Sequence, residues 1–285
     1  MAMLAAAWFT AGVSCSQNAP NTGAAHSIPP SAGPVTVVAT LPAAEATNRA
    51  RALETYRHGP KQAGFLPRTF SDTRSTSGPL RYLLYVPART NEPLPLVLSL
   101  HGGGPRRQFE HLLEPYAPGF AYGLGRLTAA ESQRAHPCFV VAPWSNNRGW
   151  DADNLRLVLA LLEALEREFP IDTNRVYVTG QSMGGFGTWS ILAAAPKRFA
   201  AAIPICGGGE PATAASIRHV PIWALHGSAD TIVGVDYTRK MVAALHAAGG
   251  TPRYWEYASA THAETAERAY GEPELLDWLF AQQRR

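Results

Sequence analysis

Val176-Tyr-Val-Thr-Gly-Gln-Ser-Met-Gly-Gly-Phe-Gly-Thr-Trp189 is the stretch on which the fold turns. Its apolar, β-branched opening ends at Thr179 and predicts a buried strand. Gly180-Gln-Ser182-Met-Gly184 follows, and the residues after it can continue as a helix through Ala195. A serine with glycine two residues to either side, set between strand and helix, is the pattern of a nucleophile elbow. The need for glycine is steric, since side chains at the flanking positions would collide with the neighbouring strand and helix. The strained turn leaves the Ser182 hydroxyl at the strand's carboxyl end, and the helix N-terminus behind it favours developing negative charge. A tight turn with a capping serine uses the same five residues, so the rest of the chain has to decide.

On both sides of this stretch, strands alternate with helices. Phe65 to Phe70 and Arg81 to Val86 read as two early strands. Pro95 to Leu100 is a near-continuous apolar run, as a strand buried on both faces requires, and it ends in His101-Gly-Gly-Gly104. Phe139 to Ala142 is a further buried strand. Asp153 to Phe169 carries Leu155, Leu159, Leu162 and Leu165 at helical spacing and stops at Pro170. Downstream, Ala200 to Ile205 and Pro221 to Leu225 read as strands, the second running into His226-Gly227. Thr238 to Ala248 is a helix stopped by Gly249-Gly250, Arg253 to Tyr257 a last strand, and Pro273 to Gln283 a closing amphipathic helix. The pattern predicts an α/β fold with a mostly parallel central sheet and helices on both faces. In such sheets the active groups gather at the carboxyl ends of strands.

The composition agrees with one large domain. Of 285 residues, 46% are hydrophobic and 16% charged, which is enough apolar side chain for a sizeable core. A net charge of +3, with no Lys/Arg stripe, speaks against a nucleic-acid partner. Cys15, Cys138 and Cys206 have no metal-type spacing, and no metal or organic cofactor is expected. Cys138 opens one predicted strand and Cys206 closes another, so core packing is expected for both rather than a disulfide. Residues 1–15 read as a short apolar export segment, and Cys15 after Val13-Ser14 resembles a lipoprotein cleavage site. That makes Cys15 a candidate lipid attachment point, hence a membrane tether, in an exported protein. Residues 16–59 read as a flexible tether with a short helix at Glu45 to Tyr56, and residues 60–285 as the catalytic domain. Beyond the N-terminus no apolar run has the length of a membrane span.

A serine becomes a good nucleophile when a base takes its proton and a buried carboxylate orients that base. Two residues after Ser182 have the right placement. Asp230, in His226-Gly-Ser-Ala-Asp230, directly follows a buried strand; His262, in Ser259-Ala-Thr-His262, directly follows the last one. Serine, acid and histidine in that order is the α/β-hydrolase order. Asp236 is a rival acid but is better placed to cap the helix near Thr238. His246 lies inside a helix and His219 before a strand, so neither is at a carboxyl end. For the oxyanion, the candidate donors are the backbone N–H of Met183 and, from the glycine run, that of Gly103.

Leu100-His-Gly-Gly-Gly104, Phe139-Val-Val-Ala-Pro143, Asp172 through Gly185 and His226-Gly-Ser-Ala-Asp230 together resemble an α/β-hydrolase serine esterase. The nearest branch groups dienelactone-hydrolase-like proteins, polyhydroxybutyrate-depolymerase and feruloyl-esterase-like enzymes, and predicted peptidases. The resemblance spans about Leu83 to Leu279 and implies Ser182 as nucleophile, His262 as base then acid, and Asp230 as orienting carboxylate. Dienelactone hydrolases proper use a cysteine where this chain has serine, which argues against their substrate. Only Gly207 to Val220 separate two predicted strands where many hydrolases insert a cap, so no cap domain and an open cleft are expected. Trp150 and Gln181 are candidate substrate contacts, with Trp144 a second candidate. The expected reaction is hydrolysis of small or polymer-linked esters through an acyl-enzyme. A serine peptidase of the same fold and a catalytically dead binding module are the alternatives.

Overall fold

This computed structural model describes residues 43–284, except 60, 62, 74, 76, 77, 104–119 and 146–148. The expected export segment, Cys15 and most of the tether lie outside the described residues, as does Gly104. Among the described residues eight strands form one sheet: β1 Leu66–Phe70, β2 Leu80–Tyr85, β3 Leu94–Leu100, β4 Phe139–Pro143, β5 Ile171–Gln181, β6 Ala201–Ile205, β7 Trp223–Gly227 and β8 Arg253–Tyr257. Their spatial order is β1-β2-β4-β3-β5-β6-β7-β8. β1–β2 and β2–β4 pair antiparallel, and every pairing from β4 to β8 is parallel.

The helices are α1 Ala43–His58, α2 Phe120–Thr128, α3 Ala130–Ala135, α4 Ala152–Glu168, α5 Met183–Ala194, α6 Ala214–Ile217, α7 Asp236–Ala247, α8 His262–Gly271 and α9 Glu274–Phe280. The period-2 alternation of strand side chains divides the core. Leu96, Leu98 and Leu100 of β3, with Val176 and Val178 of β5, join Leu157, Leu161 and Trp189 on one face. Val97, Val140 and Tyr177 point the other way, among Leu124, Ala269, Tyr270 and Leu275. All seven residues of β3 are buried, and each large apolar side chain so enclosed contributes about 1.5–3 kcal/mol. This is why the run before His101 reads as near-continuous apolar sequence, with Ser99 its one polar residue.

Two boundaries differ from the sequence reading. α1 runs from Ala43 to His58, past the expected Glu45 to Tyr56 at both ends. It docks on α4: Ala52 and Tyr56 enter the core, and Arg49 donates to the Glu166 carbonyl at 3.2 Å. Asp236 is the first residue of α7, not its cap, and pairs with Arg239 at 3.0 Å. Between β6 and β7 lie only a 3₁₀ turn at Pro211–Thr213 and the four residues of α6. That connection carries no cap domain, as expected.

β3 leads to β4 on one side, whereas β5 lies on the other and leads to β6 and β7. The carboxyl ends of β3 and β5 therefore flank the point where the winding reverses, a crevice open to ligands. Among the described residues no helix is long and apolar enough to cross a membrane.

Candidate active site

Ser182 sits in the turn between β5 and α5 with φ 58° and ψ −120°. A non-glycine residue held there costs about 1–3 kcal/mol, so the surroundings must impose it. They do so by contact. A Cβ on Gly180 would lie 2.5 Å from the Gly184 carbonyl oxygen, and one on Gly184 only 1.9 Å from that of Leu100. The Ser182 N–H donates to Ile205 O at 2.9 Å, and its carbonyl accepts from the Phe186 N–H at 3.0 Å. With the backbone tied on both sides, its hydroxyl caps no helix N–H.

Asp230 follows β7 and His262 opens α8. The Asp230 carboxylate is buried, and Oδ1 accepts from the N–H groups of Ile232 at 2.9 Å and Val233 at 2.8 Å. Oδ2 faces His262 Nδ1 at 2.6 Å. Burial works to raise the Asp230 pKa but is outweighed by the Val233 N–H, by His262 and by the Ile232 N–H, which hold it below the ordinary value. Because Nδ1 meets a carboxylate it carries the proton, which leaves Nε2 as the basic nitrogen.

The His262 backbone lies against the residue that precedes Ser182. Its carbonyl accepts from Gln181 Nε2 at 3.2 Å, the side chain next to Ser182. The Glu264 carboxylate takes both the Thr261 N–H and the Thr261 hydroxyl at 2.8 Å, fixing the first turn of α8. No direct hydrogen bond joins Ser182 Oγ to His262 among the described residues. Such contacts commonly tighten only around the reacting group.

The glycine run after β3 lies against the elbow. A Cβ on Gly102 would meet Ser182 Cβ at 3.6 Å, and one on Gly103 would meet Met183 Cβ at 3.7 Å. The two residues singled out as oxyanion donors, Gly103 and Met183, are thus neighbours. His101 holds this loop: its Nε2 accepts the Ser145 N–H at 3.2 Å, its Nδ1–H donates to Gly102 O at 2.9 Å, and its ring stacks on Trp144 at 4.6 Å.

Trp150 and Gln181, expected to touch substrate, are both 7% exposed. Trp150 donates its indole N–H to His101 O at 3.0 Å, and its ring crowds the place where a Gly187 Cβ would sit. Gln181 donates to the His262 carbonyl at 3.2 Å. Asn154, which the sequence reading passed over, ties the loop after β4 through Ser145 O at 3.2 Å and Gly149 O at 3.0 Å. Cys138 and Cys206 are free and buried. Burial pushes Cys138 up to about 12 and Cys206 above its ordinary range too, so neither is a thiolate at neutral pH.

The strand order and the mostly parallel sheet with helices on both faces are those of the α/β-hydrolase fold. Comparison with known proteins gives the same fold and esterase relatives. Residues 145–274 match the Dienelactone hydrolase family model. A solved thermostable esterase is 34% identical, with a TM-score of 0.69 over 78% of this chain and 64% of its own. The feruloyl esterase module of Clostridium thermocellum shares the fold at 18% identity, with a TM-score of 0.57 over 80% of this chain and 92% of its own. Among curated proteins, a bifunctional acetylxylan esterase/xylanase of Neocallimastix patriciarum is 27% identical over 58% of this chain and 24% of its own length. A probable feruloyl esterase C of Aspergillus flavus is 26% identical over 54% and 56%. The chain thus spans about a quarter and about half of these two relatives, and is esterase-like in sequence and fold.

Proposed function

We propose that this protein is a serine carboxylic-ester hydrolase working through an acyl-enzyme. Ser182 Oγ attacks the ester carbonyl while His262 Nε2 takes its proton, and Asp230 holds the imidazole in the required tautomer and stabilises the imidazolium. The N–H groups of Met183 and Gly103 receive the oxyanion, a contribution of about 3 kcal/mol for each donor. Collapse of the tetrahedral intermediate breaks the bond to the alcohol, which leaves with the proton from His262. Water then attacks the acyl-serine by the same route and frees the acid.

One observation carries this reading: the 2.6 Å contact of His262 Nδ1 with a buried, ionised Asp230, reached by a loop that also touches the residue beside Ser182. The names of the relatives favour an acetyl or feruloyl ester, and the short β6–β7 connection favours an ester presented at an open rim, free or polymer-linked. Trp150 and Gln181 support that rim from behind, presenting little surface to a substrate.

The test pairs turnover of p-nitrophenyl acetate with labelling by a fluorophosphonate. Wild type turns over the ester and takes the label, and Ser182→Ala does neither while remaining folded. A folded wild type inert to both is a binding module, and preference for a peptide anilide over the ester makes it a peptidase.

A further inference from the structure

Asp230 Oδ2 is shared. Besides His262, a second histidine reaches it: His226, the penultimate residue of β7, fully buried, with Nε2 3.2 Å from Oδ2 and 2.9 Å from the Val233 carbonyl. Both partners are acceptors, so Nε2 bears a proton and donates. On the other edge, Nδ1 lies 2.7 Å from Thr238 Oγ1, and that hydroxyl also reaches Gly207 O at 2.6 Å. Each ring nitrogen has a partner that turning the ring over would lose. The ring is therefore pinned to β7, the Asp230–Val233 turn, α7 and the start of the β6–β7 connection at once.

We infer that His226 is a positioning residue that acts through Asp230, clamping the carboxylate toward His262 and tempering its basicity. The inference rests on the ester-hydrolysis reading. A carboxylate that shares one more N–H is a weaker acceptor toward the proton on His262 Nδ1, so loss of that contact should be read in the acid limb of the pH–rate profile. The ionisable groups facing His226 are Asp230, His262, Cys206 at the end of β6, and Glu256 on β8, itself bound to Arg239 of α7.

Cys206, His226 and Asp230 also hold their potential metal-ligating atoms within 4.8 Å of one another. A cation using His226 Nε2 there would have to displace its proton and take Oδ2 from His262. The hydrogen-bond partners favour a proton-holding role.

The test compares His226→Leu, which removes the donor, with His226→Gln, whose amide can still reach Oδ2. The readouts are kcat, KM and the acid limb of the kcat/KM profile for p-nitrophenyl acetate. The leucine variant is expected to lose on the order of tenfold in kcat with KM little changed. Its acid limb should move up by about one pH unit, and glutamine should restore the limb. If His226→Leu fails to fold, His226→Asn, one carbon too short to reach Oδ2, takes its place against His226→Gln. An active wild type whose limb stays put in the variants lacking the donor overturns the inference alone; an inert wild type overturns the hydrolase reading first. Inhibition of wild type by micromolar Zn²⁺ that His226→Gln abolishes reassigns the cluster to a metal and also overturns it.

Discussion

At the scale of single residues, the site depends on side chains whose partners leave no freedom. Besides the His226 contact, the Asp230 carboxylate accepts two backbone N–H groups and the Nδ1–H of His262, so Asp230→Asn keeps the shape but presents the wrong group to Nδ1. We expect kcat for p-nitrophenyl acetate to fall by about 10⁴ with KM nearly unchanged; a fall under tenfold would remove Asp230 from the mechanism. Gly184→Ala places a methyl 1.9 Å from the Leu100 carbonyl oxygen, backbone inside a buried strand that cannot retreat. A loss of about 3 kcal/mol or more is expected, read from urea unfolding midpoints. Ser182, Asp230 and His262 can be proposed from sequence because each falls shortly after a strand, a property of local sequence. The role of His226 was not legible, although it opens the His226-Gly-Ser-Ala-Asp230 motif. Its partners Thr238 and Gly207 belong to other elements, and spacing along the chain does not encode contacts between strands. The indole N–H of Trp150 likewise meets a carbonyl 49 residues away, a contact that local sequence does not encode.

At the scale of elements, the strands are easy to read, whereas the short helices α2, α3 and α6 and the longer α8 carry no clear signal in the sequence. β3 and β4 announce themselves as apolar runs, and β8 has the boundaries its sequence suggests. β5 is longer than its apolar run, because polar Asp172, Thr173 and Asn174 continue the strand back to Ile171 beside Leu94. α8 goes unassigned from sequence because its buried face, Thr265, Ala266, Ala269 and Tyr270, is made of mostly small residues. Thr261-His-Ala-Glu264 was the available clue, a capping-box spacing that places His262 at the first helical position. That cap aims the imidazole, so its loss should appear in rate more than in stability. Glu264→Ala is expected to lower kcat by roughly tenfold, within the range that small misplacements of a catalytic group produce. Far-UV circular dichroism should stay unchanged. A variant with unaltered kcat would separate the cap from the orientation of His262.

At the scale of the whole molecule, fold class followed from alternation, whereas the position of β3 between β4 and β5 is a long-range fact that only the structure supplies. The assembled sheet also collects groups whose proton affinities differ from those in the unfolded chain. Burial holds His226 below its ordinary 6.5, against the pull of the Val233 carbonyl and Asp230. Asp230 lies below its ordinary 3.8, because the Val233 N–H and His262 outweigh burial; Glu256, bonded to Arg239, lies below 4.5. In each case the unfolded chain binds more protons than the folded one between the two pKa values, so stability rises with pH in that interval. Acidification should therefore act in two stages. The first begins as pH falls through about 6.5 and belongs to His226; the second begins near pH 4, where the carboxylates protonate. The alkaline side has the opposite sign: burial raises Tyr82 and Tyr270 from 10.0 to about 12, so the folded state keeps their protons longer and stability falls above pH 10. Thermal unfolding midpoints taken from pH 3 to 11 should trace a plateau with these shoulders. In His226→Gln the first acid stage should vanish while the second persists, since glutamine does not titrate. A shoulder near pH 6 that survives the substitution would assign that proton to another group and leave His226 uninvolved in the acid response.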